Sequence, residues 1–286
     1  MIENKYFKAI ILEQDSMAIA VINDCPEIEE AVDGLFSLSS SIDDAISNVS
    51  GSYQPISILK QLFGGLCASY PHAIYSILHG LILQGQHFSR RGIEALRLTV
   101  VCLENPALFQ VWRYSKYGAP DEVAALIQDC PDSLNLPAED SKSSEEKLFK
   151  NRFYWQGAEE RFKRKPKIQT DMEYLDIRYK AFSNMTVHMN WISLAGVCQY
   201  DGHKTVLFCP FPKAREYEIS LAALESADVW LRSLKVLVEY FADISGFVIN
   251  KDDIHGIEEK LCNWALTGHR KYPDSRDWGK VISDRV

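Results

Sequence analysis

The chain has 286 residues, of which 47% are hydrophobic and 24% charged, the balance of a soluble globular protein with length for a large core. Its formal net charge of −8 argues against a general phosphate-binding surface, so nucleic acid is disfavoured as a partner. No apolar run approaches the ~18 residues of a membrane-spanning helix, and the first residues lack the basic start and small-residue cleavage site of a secretory signal.

In chain order the hydrophobic pattern is overwhelmingly helical. Residues 2–13 and 15–48 read as amphipathic helices, interrupted near Cys25–Pro26 and ended by NVSGSYQP. SILKQLFGGLCASY makes a short helix before Pro71, and the apolar-rich stretch from His72 to Glu104 reads as one central helix. Asn105-Pro106 stops it, because proline disfavours helical geometry in the residue before it. Shorter helices follow near 107–115 and 120–129. Residues 131–145, polar and without a period, read as a surface loop. A charged helix covers about 144–163, and another spans about 170–195. The strand signal is GVCQYDGHKTVLFCPFP, where Asp201-Gly202 between two β-prone runs predicts a small hairpin near 197–209. Helices near 217–244 and 253–267 and an irregular tail complete the chain. The expected fold is all-α: a single bundle-like helical domain over residues 1–286 with one minor β element.

The seven cysteines, Cys25, Cys67, Cys102, Cys130, Cys198, Cys209 and Cys262, are odd in number, scattered and without a C-x-x-C pair. Reduced thiols in a cytoplasmic protein are expected, not a disulfide framework. No phosphate-binding glycine loop, nucleophile elbow or H-E-x-x-H motif occurs, and no cofactor is implied. Cys198, His203 and Cys209 flank the hairpin but lack a fourth zinc ligand. Asp252-x-x-His255 sits at a helix start, where aspartate is a routine N-cap. The basic run RFKRKPK at 161–167 follows Glu159-Glu160 and reads as a solvated helix end.

Two polar groupings stand out from the apolar background. At about 100° per residue, His87, Arg90, Arg91 and Arg97 all fall within about 60° of Glu94 on the central helix. Arg90–Glu94 and Glu94–Arg97 are favourable i,i+4 and i,i+3 pairs. Leu83, Leu98 and Val101 bracket the patch with apolar surface, so it reads as a solvent-facing salt-bridge stripe first, and beside that as an interior network of paired charges or a functional site. In YKAFSNMTVHMNWI, His188 shares a face with Ile177, Ala181, Asn184, Ile192 and Ala195, whereas Ser183 points away. His188 is expected to be mostly buried, with Glu94 its best carboxylate partner, an arrangement that would orient the imidazole and raise its basicity.

SRRGIEALRLTVVCLENPALFQVWRYS followed by YKAFSNMTVHMN resembles an uncharacterised group of bacterial all-helical proteins that carry an Arg-x-x-x-Glu helix ("R..lE") and a later "Y..lS..vH" segment. Over residues 75–195 the resemblance matches Arg90 or Arg91, Glu94 and His188; this chain has Asn184 where the group has its serine. The group implies no activity. A more distant likeness is to HEPN domains, some of them ribonucleases, whose closely spaced Arg and His are absent here. The expected function is therefore a helical binding or interaction protein, its partner a protein, a second copy or a small ligand, acting at the polar cluster of Arg90, Arg91, Glu94, Arg97, Asn184 and His188. Two alternatives stand beside it. One is a hydrolase or nuclease-like enzyme with His188 as base and the arginines holding an anion. The other is a structural subunit in which the cluster specifies core packing.

Overall fold

The computed structural model describes residues 5–49, 56–104, 166–186, 199–201, 204–206, 216–242 and 246–272. The expected helices near 107–115, 120–129 and 144–163 and the loop at 131–145 lie outside them, as does most of the basic run. Within them the architecture is all-α, built from seven α-helices and one short 3-10 turn.

Helix α1 spans Lys5–Asp24 and α2 spans Glu27–Ser47. Between them Cys25 and Pro26 break the chain as the sequence predicts; Pro26 caps α2, and Glu27, Glu29 and Glu30 complement the positive end of its dipole. The stripe Ile28, Ala31, Leu35, Leu38, Ile42, Ala45 and Ile46 is buried at helical spacing.

Helix α3 runs Ile56–Leu78 straight through Pro71. The predicted end before Pro71 is thus corrected. Proline removes one backbone donor, but the buried row Leu59, Phe63, Leu66, Tyr70, Ala73, Ile74 and Ile77 continues across it, and packing outweighs the lost bond. The predicted single helix from His72 to Glu104 is also corrected. The chain reverses at His79–Leu81, where Gly80 takes φ +80°, a left-handed conformation costly for other residues. Gly80 N–H donates to the Ile77 carbonyl at 2.8 Å and Leu81 N–H to the Ser76 carbonyl at 2.9 Å, the paired bonds of a Schellman C-cap.

Helix α4, Ile82–Glu104, then packs back along α3. The approach is close because Gly85 faces Ala73 and Ile77 and Gly92 faces the Tyr70 ring; a Cβ at Gly92 would lie 2.5 Å from Tyr70 Cζ. Pro166–Ile168 forms the 3-10 turn that leads into α5, Gln169–Thr186. Gln199–Asp201 and Lys204–Val206 pair antiparallel with Asp201 opposite Lys204. This three-residue ladder forms no layer of the fold, so the β-hairpin expected near 197–209 as a minor element of the architecture is not borne out; the fold is helical.

Helix α6, Glu216–Phe241, is the centre of the molecule: it packs against α2, α3, α4, α5 and α7 and buries residues on every side. Trp230 is fully buried between Phe36, edge-on at 5.2 Å, and Tyr70, stacked at 6.0 Å. Helix α7, Lys251–Lys271, is capped by the Asn250 side chain, which accepts from Asp252 N–H; Asp252 is therefore a first-turn residue and not the N-cap. The helix runs past the predicted end at 267, with His269, Arg270 and Lys271 in its last turn, and packs on α2. One continuous hydrophobic cluster draws residues from all seven helices. Among the described residues no helix is long and apolar enough to cross a membrane.

Candidate functional site

Of the predicted cluster, Arg90, Glu94 and Arg97 meet residues of α5 where α4 and α5 pack as antiparallel neighbours. Arg97, 4% exposed, donates to Asp176 Oδ1 at 3.0 Å, and its guanidinium lies 3.6 Å from the centre of the Tyr179 ring. Such a cation over an aromatic face is worth more when desolvated, as here. Burial pushes the Arg97 pKa down to about 10 despite Tyr179 and Asp176. Asp176 also takes Lys180 Nζ at 2.6 Å.

One turn away, Arg90 donates to Glu94 Oε1 at 2.6 Å, and the same oxygen accepts from Tyr179 O–H at 3.2 Å. Burial opposes the Arg90 charge, but Tyr179 and Glu94 outweigh it and hold the guanidinium pKa above its ordinary value. Tyr179 is thus the hub: its ring faces Arg97 and, at 5.5 Å, Arg90, while its hydroxyl fixes Glu94. The expected Arg90–Glu94 pair is present. Glu94's described partners are Arg90 and Tyr179, and the expected Glu94–His188 pair lies outside the described residues, which on α5 end at Thr186.

The other candidates stand apart. Arg91 and His87 are exposed on the solvent side of α4, with the His87 ring against Phe88. Asn184 is exposed, and Ile177, placed on the same predicted interior stripe, is 64% exposed. That stripe is therefore corrected over its described length: α5 buries Met172, Leu175 and Phe182 instead. The apolar residues at 177 and 181 had suggested the wrong face because the true inner flank is carried by Tyr174, Asp176, Arg178 and Tyr179, polar residues whose partners come from other helices. Ser183, set aside as facing elsewhere, has its hydroxyl buried on α5.

A second network, not anticipated, joins α5, α6 and α7. Arg232 donates to Asp171 Oδ1 at 2.7 Å and to Asp228 Oδ2 at 3.1 Å, and covers the Tyr174 ring at 4.3 Å. Lys235 Nζ bridges Asp171 at 3.4 Å and Glu258 at 2.8 Å, and Arg178 meets Glu225 at 2.9 Å. Asp171 and Asp228 are buried, and these cations offset the desolvation of their side chains. The signal was available: Asp228, Arg232 and Lys235 interrupt a largely apolar helix at helical spacing.

No group of three or more His, Cys, Asp or Glu side chains suited to a metal ion occurs among the described residues. Cys198, His203 and Cys209 lie outside them, and His255 approaches Glu258 at 3.5 Å on an exposed helix start. Lys167, from the basic run, is exposed and lies 3.6 Å from Glu239. Cys25, Cys67 and Cys262 are free thiols. No family model, no curated protein and no solved structure matches the chain.

Proposed function

We propose that this is a cytoplasmic binding protein, a helical scaffold that takes a small anionic ligand at the junction of α4 and α5. One observation carries the reading: the bonded network there holds three cations, Arg90, Arg97 and Lys180, against two carboxylates, Glu94 and Asp176. Arg90 and Arg97 lie in this half-buried seam, with exposed Arg91 on the same helix. A partly desolvated cation attracts an anion more strongly than the same group in water. Free thiols at Cys25, Cys67 and Cys262 fit a reducing compartment. The likeness of the Arg-x-x-x-Glu helix to a bacterial helical group belongs to the same reading, since the matched Arg90 and Glu94 are bonded at the seam.

Binding is the reading taken here because Glu94 Oε1, the described carboxylate oxygen nearest the arginines, is engaged by Arg90 and Tyr179, while His188, the base that hydrolysis would use, lies outside the described residues. The test is a thermal-shift and NMR titration of the full chain with sodium acetate and inorganic phosphate. The expected result is a rise in Tm that saturates and falls at least several-fold in affinity in Arg90→Gln; a chain whose Tm and amide shifts ignore both anions refutes the reading.

A further inference from the structure

Helix α1 meets the turn between α3 and α4 through one histidine. His79 follows the last residue of α3, so its ring lies at the negative end of that helix's dipole. Its Nδ1 is 2.8 Å from the Tyr75 carbonyl oxygen, and its Nε2 is 3.3 Å from Asp15 Oδ1 of α1. The Tyr75 ring lies against it at 4.1 Å. The next residue, Gly80, also touches α1: a Cβ added there would sit 3.2 Å from Met17 Sδ. Distance fixes which way the imidazole faces. Turned over, it would set a ring carbon 2.8 Å from the carbonyl oxygen, inside the roughly 3.3–3.6 Å of a C–H···O contact.

Both ring nitrogens therefore face acceptors. A neutral imidazole carries one N–H, so either tautomer leaves a lone pair against an oxygen; only the imidazolium donates to both. The His79 side chain is 15% exposed, so water offers the unmet nitrogen little relief. Among the described residues, Asp15 of α1 and the Tyr75 phenol of α3 are the titratable groups facing the ring, and the first turn of α4, Ile82 to Gly85, carries none. We infer that His79 is a proton-operated clasp that fastens α1 to the α3–α4 turn, closed while both ring nitrogens carry hydrogen and open when one is lost. The contact is complete on the acid side and is lost as pH rises, because the departing proton leaves two acceptors face to face. Histidine changes charge between about pH 5 and 8, which puts the clasp in the physiological range. The far end of α1 does not share this response. There Asp24 pairs with Lys271 at 2.7 Å, which holds the carboxyl below and the ammonium above their ordinary pKa values.

The experiment follows hydrogen exchange of the α1 amides in the full chain, corrected for the intrinsic pH dependence of exchange, in wild type, Asp15→Asn and His79→Gln. Nitrogen-15 shifts of the His79 ring report its protonation over the same range. In wild type the amides around Asp15 to Ala18 should exchange about three- to tenfold faster near pH 8 than near pH 5.5, in step with the ring's titration. Asp15→Asn should abolish the step, since a side-chain amide offers oxygen to the charged ring and N–H to the neutral one. His79→Gln should abolish it too, because nothing at the turn then titrates. Helix α5, which packs on α4 and α6, is the internal reference. Protection of α1 that ignores pH while the ring titrates overturns the inference, as does a step that persists in either variant. An equal step in α5, or a His79 ring with one bare nitrogen when α1 is most protected, overturns it as well. Circular dichroism checks that the variants fold, and either variant alone decides the outcome.

Discussion

Adding one methyl group at Gly92 should destabilise the fold although alanine is the better helix former. Gly92 lies in the interior of α4 with Tyr70 of α3 directly opposite, and an added Cβ would sit 2.5, 2.7 and 2.8 Å from three atoms of the ring. Carbon atoms prefer about 3.5–4.0 Å, so the ring or the helix must move by about 1 Å. The ring has nowhere free to go: Tyr70 is fully buried, stacks on Trp230 and shares a 2.7 Å hydrogen bond with Ser233. Overpacking of this kind costs about 1–3 kcal/mol, and losing the buried hydroxyl contact adds about 1 kcal/mol. Helix propensity returns about 1 kcal/mol, leaving Gly92→Ala less stable by about 1–3 kcal/mol. Gly64, exposed on α3 with nothing within 4 Å of an added Cβ, is the control: Gly64→Ala should gain about 0.5–1 kcal/mol. Urea unfolding midpoints at matched slopes read both variants. A Gly92→Ala chain as stable as Gly64→Ala would refute the tight crossing of α3 and α4. Pairing Gly92→Ala with Tyr70→Leu should cost less than the sum of the two, since the second change removes the obstacle.

Three further outcomes follow from the ionic networks and the thiols. Asp171→Ala should cost about 1–3 kcal/mol, because Arg232 and Lys235 each lose one of two carboxylate partners at the α5/α6 crossing while Asp228 and Glu258 remain; denaturant midpoints of Asp171→Ala and Lys235→Met, alone and together, measure the coupling. The Glu258 carboxyl is opposed by burial but held below its ordinary pKa by Lys235, so the pair stabilises the fold above the usual carboxylate range and its contribution fades as pH falls through the lowered value. The acid limb of a Tm–pH profile should accordingly flatten in Glu258→Gln, and an unchanged limb would contradict the pairing. Burial raises the Cys67 thiol to about 12, so in the folded chain at pH 8 it should label with an alkylating reagent far more slowly than in urea; mass spectrometry of the labelled peptide decides.

What local chemistry dictates was legible in the residues. Alternation of apolar and polar side chains at helical spacing gave the class of fold, and the start of α6 and the break at Cys25–Pro26 fall where pattern and proline put them. The Arg90–Glu94 pair is an intrahelical contact four residues apart, so its existence was implicit in the spacing. Contacts between helices were not. That α3 passes through Pro71 and turns at Gly80 depended on whether a continuous buried row could outweigh one missing donor and whether a left-handed residue was needed for the return, and both are settled by what packs alongside. The face of α5 was misjudged for the same reason: Ile177 is apolar yet exposed, while Asp171 is charged yet buried because Arg232 and Lys235, 61 and 64 residues farther on, arrive to neutralise it. Periodicity records how a helix is shared between water and protein; it does not record which distant charge will make burial affordable. The sequence by itself determined the helices and their local pairs, and the tertiary structure alone decided which polar side chains face inward, because only there do charges far apart in the chain come within bonding distance.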